Sequence, residues 1–251
     1  MMIKVIKSRL HQKYRTMPFP SEKTVPVDRF RGVPVCAWDK CNGTCNKCKT
    51  FCPTGALDPQ SKAIDLGKCL FCGDCVRECD QGVVSFTNNY CLATSTRNDL
   101  LLELDKQLKL AHALEKKIKK VLGRSLKLRQ VSAGGCNSCE ADTNVLNTIG
   151  YDLGRFGIQF VASPRHADGL LVTGPVTKNM KLALEKTWDA VPAPKIVIAC
   201  GTCAISGGVF AGHDEVCDGV SSILPVDLFI PGCPPHPFTI LDGLLRLLGR
   251  L

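Results

Sequence analysis

The sequence predicts two folded units of different class in one chain. A small α+β unit built on duplicated cysteine loops comes first, and an α/β unit with a doubly wound, mostly parallel sheet follows. Three observations predict this. Sixteen cysteines stand among 251 residues, ten of them before residue 92. Within that group Cys45, Cys48 and Cys52 recur 27 positions later as Cys72, Cys75 and Cys79. From residue 126 onward, short apolar runs alternate with helical patterns, as a parallel sheet covered by helices requires.

Length and composition set the bounds. A chain of 251 residues accommodates two domains, and its 45% apolar content is ordinary for a globular protein. The opening M-M-I-K-V-I-K-S-R-L lacks a continuous apolar core and a small-residue cleavage site, so no secretory signal is expected and the thiols are placed in a reducing, cytoplasmic setting. Crowded thiols there serve metals rather than disulfides. No run reaches the roughly 18 apolar residues of a membrane span, so any work at a membrane is expected to go through a partner. The net charge of +9 is uneven: residues 1–35 carry eight Lys/Arg against two Asp/Glu, residues 97–130 ten against four, and residues 131–251 eight against eleven. The basic stretches have no aromatic platform or reading motif beside them, which argues against nucleic acid. Docking on an acidic subunit or a lipid surface is the expectation instead.

Residues 1–35, with Pro18, Pro20, Pro26 and Pro34 and no sustained periodicity, read as a basic extended arm. Residues 36–96 hold the repeat, and P-T-G-A-L after Cys52 matches D-Q-G-V-V after Cys79. Each half is a tight cysteine loop followed by a short helical turn, too small to bury a core alone. Duplication around metal supplies the missing core.

This unit resembles a bacterial two-cluster ferredoxin, whose motif C-x2-C-x2-C-x3-C-P gives its fourth cysteine to the other cluster. Cys69, Cys72, Cys75 and Cys79 keep the spacing, with Asp80 in place of the proline; the first half keeps Cys52-Pro53 but has one extra residue between Cys41 and Cys45. The resemblance implies one [4Fe-4S] cluster on Cys41, Cys45, Cys48 and Cys79, and a second on Cys69, Cys72, Cys75 and Cys52. Two alternatives stay open: Cys36 in place of Cys41, and a pair of zinc sites, although zinc ribbons use isolated C-x-x-C pairs. Cys91 reads as a buried apolar residue.

Asn98 to Leu122 reads as one helix linking the units across 97–125, with Asn98 as N-cap and Gly123 as stop. Leu100, Leu104, Leu108, Ala111, Leu114, Ile118 and Val121 make its apolar stripe, expected to pack on its own chain.

In the second unit, 126–251, strands are expected at Leu126–Val131, Gly157–Val161, Gly169–Thr173, Lys195–Ala199 and Val226–Ile230. Helices are expected from about Glu140, near Asn179–Trp188, and at Phe238–Leu248. Cys136, Cys139, Cys203 and Cys233 each follow the C-terminal end of a strand, the edge where open α/β sheets of this doubly wound, flavodoxin-like kind bind ligands. Four thiolates from three loops can therefore meet at one rim.

G-G-C-N-S-C-E, Y-D-L-G-R-F-G, S-P-R-H-A-D, L-L-V-T-G-P-V-T, G-x-C-x-x-x-G-G and P-G-C-P-P resemble the small subunit of group 4 membrane-bound, energy-converting [NiFe]-hydrogenases and formate hydrogenlyase. That family shares its fold with the 20 kDa subunit of complex I. Residues 127–251 carry the likeness. The ferredoxin part resembles a different subunit of the same complexes, fused in front. C-N-S-C-E has the hydrogenase-like spacing rather than the adjacent cysteines of the quinone-reducing branch.

The resemblance implies a third [4Fe-4S] cluster on Cys136, Cys139, Cys203 and Cys233, electron transfer to or from a Ni-Fe large subunit, membrane subunits as further partners, and an electron donor or acceptor protein. It places the chain peripherally on the cytoplasmic face of the cell membrane. Glu140 is a candidate proton-relay carboxylate or a plain helix-start residue satisfying the dipole. Cys200 with Cys203 also spells a C-x-x-C dithiol, and Arg165 and His166 either tune the cluster or face the large subunit. A complex I-like or Ni-free ion-pumping partner, and a zinc-stapled regulatory module, are the rival readings. Without a phosphate-cradling G-x-x-x-x-G-K-[ST] or a strand-linked G-x-G-x-x-G, nucleotide binding is not expected.

Overall fold

The five apolar runs after residue 126 do pair in parallel. In the computed structural model, which describes residues 2–21, 26–41, 43, 45, 47–104, 107–115 and 125–251, strands β6 (Leu126–Ser132), β7 (Ile158–Phe160), β8 (Gly169–Thr173), β9 (Ile196–Cys200) and β10 (Leu228–Ile230) form one sheet in the order β10-β9-β8-β6-β7. Counted within the unit, that is the flavodoxin-like order 2-1-3-4-5, with its switch point between β6 and β8. Every residue of β8 and β9 is buried, the pattern of strands covered on both faces.

Alternate residues serve opposite cores. Leu170 and Val172 join the cluster that holds Leu184 of the helix Lys178–Ala190. Leu171 joins the cluster under the helix Pro237–Leu247, in which ten of eleven residues are buried.

The cysteine-rich unit is made of short pieces. Strand β1 (Pro34–Cys36) pairs antiparallel with β4 (Val84–Phe86), and β2 (Leu57–Asp58) with β3 (Ala63–Asp65); β5 (Leu101–Leu102) extends the second pair. Two short helices, Lys47–Phe51 and Asp74–Arg77, follow the cysteine loops. The first strand of one repeat thus pairs with the last strand of the other, so the halves close on each other. Leu57, Ile64, Leu66, Val83 and Val84 belong to the same buried cluster as Leu170 and Val172. The two units share a core.

Two sequence expectations are corrected. The arm over 1–35 is not extended throughout: Met2–Gln12 is an α-helix, because Met2, Ile6 and Leu10 recur at helical spacing. The helix over 98–122 does not form in its described part. Residues 97–100 are a 3-10 turn, Leu101–Leu102 is β5, and residues 107–115 are irregular; residues 105–106 and 116–124 lie outside the described residues. Tertiary partners claim the backbone donors there. Ala111 N donates to Ala93 O, Leu114 N to Leu247 O and His112 N to Ser95 Oγ, which overrides helix propensity. Of the expected stripe, Leu100 and Ala111 are buried on their own chain, Leu104 is exposed, and Ile118 and Val121 lie outside the described residues.

The seam between the units is polar at its centre. Thr202 Oγ1 donates to Cys69 O at 2.8 Å and lies 3.1 Å from Gly232 O, and Ser206 Oγ donates to Gly67 O at 2.8 Å. Thr94 exchanges two backbone hydrogen bonds with Phe229, so the exit from the first unit covers the free edge of β10. An uncovered edge would invite pairing with other chains.

Candidate metal centres

Twelve of the sixteen cysteines fall into three groups of four, each around its own hollow. One is lined by Cys41, Cys45, Cys48 and Cys79 with Trp38 and Leu57. A second is lined by Cys52, Cys69, Cys72 and Cys75, again with Leu57. The third is lined by Cys136, Cys139, Cys203 and Cys233 with Glu140 and Thr202. Cys36 lines none of them. It lies beside Cys75 and Cys48, and burial with those two thiols pushes it up to about 12.

Local chain geometry explains each group. In the repeat, Ala56 N donates to Cys52 Sγ (3.2 Å) and Val83 N to Cys79 Sγ (3.5 Å), the same bond at equivalent positions of both halves. Phe71 N donates to Cys69 Sγ at 3.3 Å. Such N–H···S bonds stabilise a thiolate and tune a metal held by it. Asp80, standing where the motif has proline, pairs with Lys47 at 2.5 Å and so ties the second loop to the first.

The third group sits at the carboxyl rim of the parallel sheet, at its switch point. Cys136 and Cys139 follow β6, Cys203 follows β9 and Cys233 follows β10. Backbone approach is close here. A Cβ on Gly135 would lie 3.1 Å from Gly174 Cα, and one on Gly201, at φ +94°, would lie 2.5 Å from Cys139 Sγ. Only glycine leaves that space for the sulfur.

Burial sets the protonation of the bare thiols. It pushes Cys69 up to about 12, and Cys75 and Cys203 up to about 11, with neighbouring thiols adding to the effect. Cys139 is raised further still by the same causes. Cys136 goes the other way, lowered chiefly by its hydrogen bond with Ser138 Oγ at 3.4 Å. Metal ligation requires the thiolate, so loading these hollows must release protons. The hollows adjoin one another: Leu57 lines the first and the second, and Thr202, which lines the third, donates to the carbonyl of Cys69, which lines the second. The second hollow thus lies next to both others.

Glu140 is buried, at 6% exposure, in the first turn of the helix Ser138–Val145, and Thr173 Oγ1 donates to its Oε1 at 2.5 Å. Arg165 and His166 are exposed and precede β8, whereas the cysteine rim lies beyond its other end. Five residues at about 3.3 Å each separate them, so these two side chains do not reach the rim. Cys200 is fully buried and pushed up to about 12 by desolvation, outside the third lining. Cys91 is not the apolar residue expected. Its thiol donates to Asp242 Oδ1 at 3.4 Å, and Arg246 pairs with the same carboxylate at 2.8 Å. Ser138, Thr173 and Thr202 went unnoticed in the sequence; their only signal is a hydroxyl within two residues of a cysteine or a glycine turn.

A parallel α/β unit gathers four thiols on its carboxyl rim, and a duplicated loop unit docked against it groups eight more; comparison with known proteins puts a chain of this build in the oxidoreductase class. Residues 136–247 match the family described as "NADH ubiquinone oxidoreductase, 20 Kd subunit", and the chain belongs to that family. It is 44% identical over 141 residues to a "Probable membrane-bound hydrogenase subunit" of Pyrococcus furiosus, covering 55% of this chain and 84% of that one. It is 46% identical over 141 residues to formate hydrogenlyase subunit 7 of Escherichia coli, of which it spans only 53%. Against an NADH-quinone oxidoreductase subunit of Desulfovibrio desulfuricans it is 42% identical over 113 residues, 45% of this chain and 61% of that one. The family match contains all four rim cysteines and none of the repeat. No helix among the described residues is long and apolar enough to cross a membrane.

Proposed function

We propose that this chain is the electron-transfer subunit of a membrane-associated [NiFe]-hydrogenase complex, holding three [4Fe-4S] clusters and passing electrons to or from a Ni-Fe large subunit. Membrane subunits and an electron donor or acceptor protein complete its partners, and it sits peripherally on the cytoplasmic face. The observation that carries the reading is the sorting of twelve cysteines into three adjoining hollows of four. When bound, each cluster supplies a centre that exchanges one electron. The cysteine-rich unit then takes the two-cluster ferredoxin fold its repeat implies. Cys41, Cys45, Cys48 and Cys79 hold the first cluster, Cys52, Cys69, Cys72 and Cys75 the second, and Cys136, Cys139, Cys203 and Cys233 the third.

The donor set fits this group. All lining thiols are soft ligands, and several already accept backbone N–H bonds.

Glu140 lines the third hollow with Thr173 fixing its carboxylate, and it is proposed to hold and pass protons toward the large subunit. A complex I-like or Ni-free partner remains the second reading, because relatives from both branches are similar over comparable lengths.

Iron analysis after anaerobic reconstitution tests the assignment: roughly twelve irons per chain are expected. Cys48→Ser, Cys75→Ser and Cys203→Ser should each remove about four, with a matching loss of one reduced EPR signal. A colourless chain that binds zinc stoichiometrically refutes the reading. Glu140→Gln should keep the iron and slow turnover of the assembled complex, with Glu140→Asp restoring part of the rate.

A further inference from the structure

We infer that the helix Met2–Gln12 (α1) binds the surface of an anionic lipid bilayer directly. This rests on nothing in the cluster assignment, and it adds a contact of the chain's own to any attachment made through partners.

The helix has no reason to exist on this chain alone. It is eleven residues long and none of them is buried. Isolated helices shorter than about 12–15 residues are marginal in water, so its packing surface must come from outside. At 3.6 residues per turn, Val5, Met2, Ile6, Leu10 and Ile3 fall in one arc, and Lys4, Lys7, Ser8, His11 and Gln12 fall in the other. Met2, Ile3 and Leu10 are exposed by 78%, 70% and 72%, an apolar stripe with nothing on it. Arg9 alone interrupts the apolar arc, near its end, where a long side chain can snorkel to the polar side.

Charge selects the occupant. Residues 2–21 carry Lys4, Lys7, Arg9, Lys13 and Arg15 and no acidic residue. A basic amphipathic helix with an apolar face is the pattern that lies in a bilayer interface, with attraction to acidic headgroups added. Tyr14, 88% exposed just beyond the helix, suits the headgroup level.

The segment just after the helix is anchored on the body. Met17 N donates to Gly150 O at 2.8 Å, and Arg155 Nη2 donates to Met17 O at 2.6 Å. Phe19 stacks on Phe238 with ring centroids 5.6 Å apart. These contacts put the helix on a short lead from the parallel-sheet unit, its anchor at Gly150 standing beside the exposed Ile149.

The test is cosedimentation of the intact, iron-loaded chain with vesicles of phosphatidylcholine alone and with vesicles of equal parts phosphatidylcholine and phosphatidylglycerol. The expected result is binding to the second, at least about tenfold weaker binding to the first, and release at about 1 M salt, where the Debye length shrinks to about 3 Å. Ile3→Glu with Ile6→Glu, and separately Lys4→Glu with Lys7→Glu, should each weaken binding at least about tenfold. Iron content should stay unchanged, because α1 buries nothing on the body. The inference is overturned by no binding to anionic vesicles, by binding that both variants retain, or by loss of a protein partner in the variants while vesicle binding stays absent throughout.

Discussion

Among the described residues of 34–86 no regular element exceeds five residues, whereas the sheet of residues 126–247 contains two five-residue strands with every side chain buried and a helix with ten of eleven buried. Both regions present cysteines in fours. They hold them differently. In the first, the loops that carry the thiols are most of the structure, and Leu57 lines two hollows at once. In the second, the thiols stand on the rim of a sheet that has its own core. The difference teaches where a metal would be structural and where it would only be held: under the proposed function the repeat would need its inorganic centre to fold, and the sheet would need only to place four sulfurs.

Stripping iron should break the symmetry most. In the metal-free chain, amide exchange over residues 41–86 should quicken by several orders of magnitude, because binding free energy there is folding free energy. Amides of β8 and β9 should stay protected. Equal loss in both regions, read by mass spectrometry of exchanged peptides, would refute the comparison.

The stripped chain should also become alkali-sensitive. Cys203, on the rim of the sheet that stays folded, is raised from the ordinary thiol value of 9.0 to about 11, chiefly by burial. The folded sheet therefore holds more protons than the unfolded chain between those limits. Its stability is fully present below about pH 9 and is lost as pH rises through about 11; the loaded chain, with this sulfur already deprotonated, should not follow. Urea midpoints across that range check the sign.

Leu171→Ala sharpens the other side. It empties a fully buried position in β8 and should cost about 3 kcal/mol, seen as a lower denaturant midpoint with iron content unchanged. Thr202→Val probes the seam. It strands Cys69 O and should cost about 1–3 kcal/mol, with the second hollow, which Cys69 lines, losing iron faster to a chelator than the other two. Lys47→Ala, at the exposed pair with Asp80, should leave the melting temperature where it was, because surface pairs contribute little.

Much of the parallel-sheet unit was legible. Gly169–Thr173 was read to the residue, and the other strands and helices to within about two, because a continuous apolar run between turn signals reports burial directly. The ferredoxin resemblance implies that Cys79 joins the first loop and Cys52 the second, and the linings of the two hollows bring those same cysteines together. The segment 98–115 was misread for a physical reason: its leucine spacing is helical, but its N–H groups are taken by Ala93, Ser95 and Leu247, partners far off or invisible to local pattern.

The sequence by itself determined the duplication, the order of strands and helices, and which cysteines lie just beyond a strand's end, since each is a property of neighbouring residues and their periodicity. Only the tertiary structure decided that the two units share one core, that Thr202 clasps the Cys69 loop, that Thr173 holds a buried Glu140, and that Cys91 answers to Asp242 rather than to apolar neighbours. Those are choices of hydrogen-bond partner across more than thirty positions of chain, and they exist only once the fold has brought donor and acceptor into the same dry space.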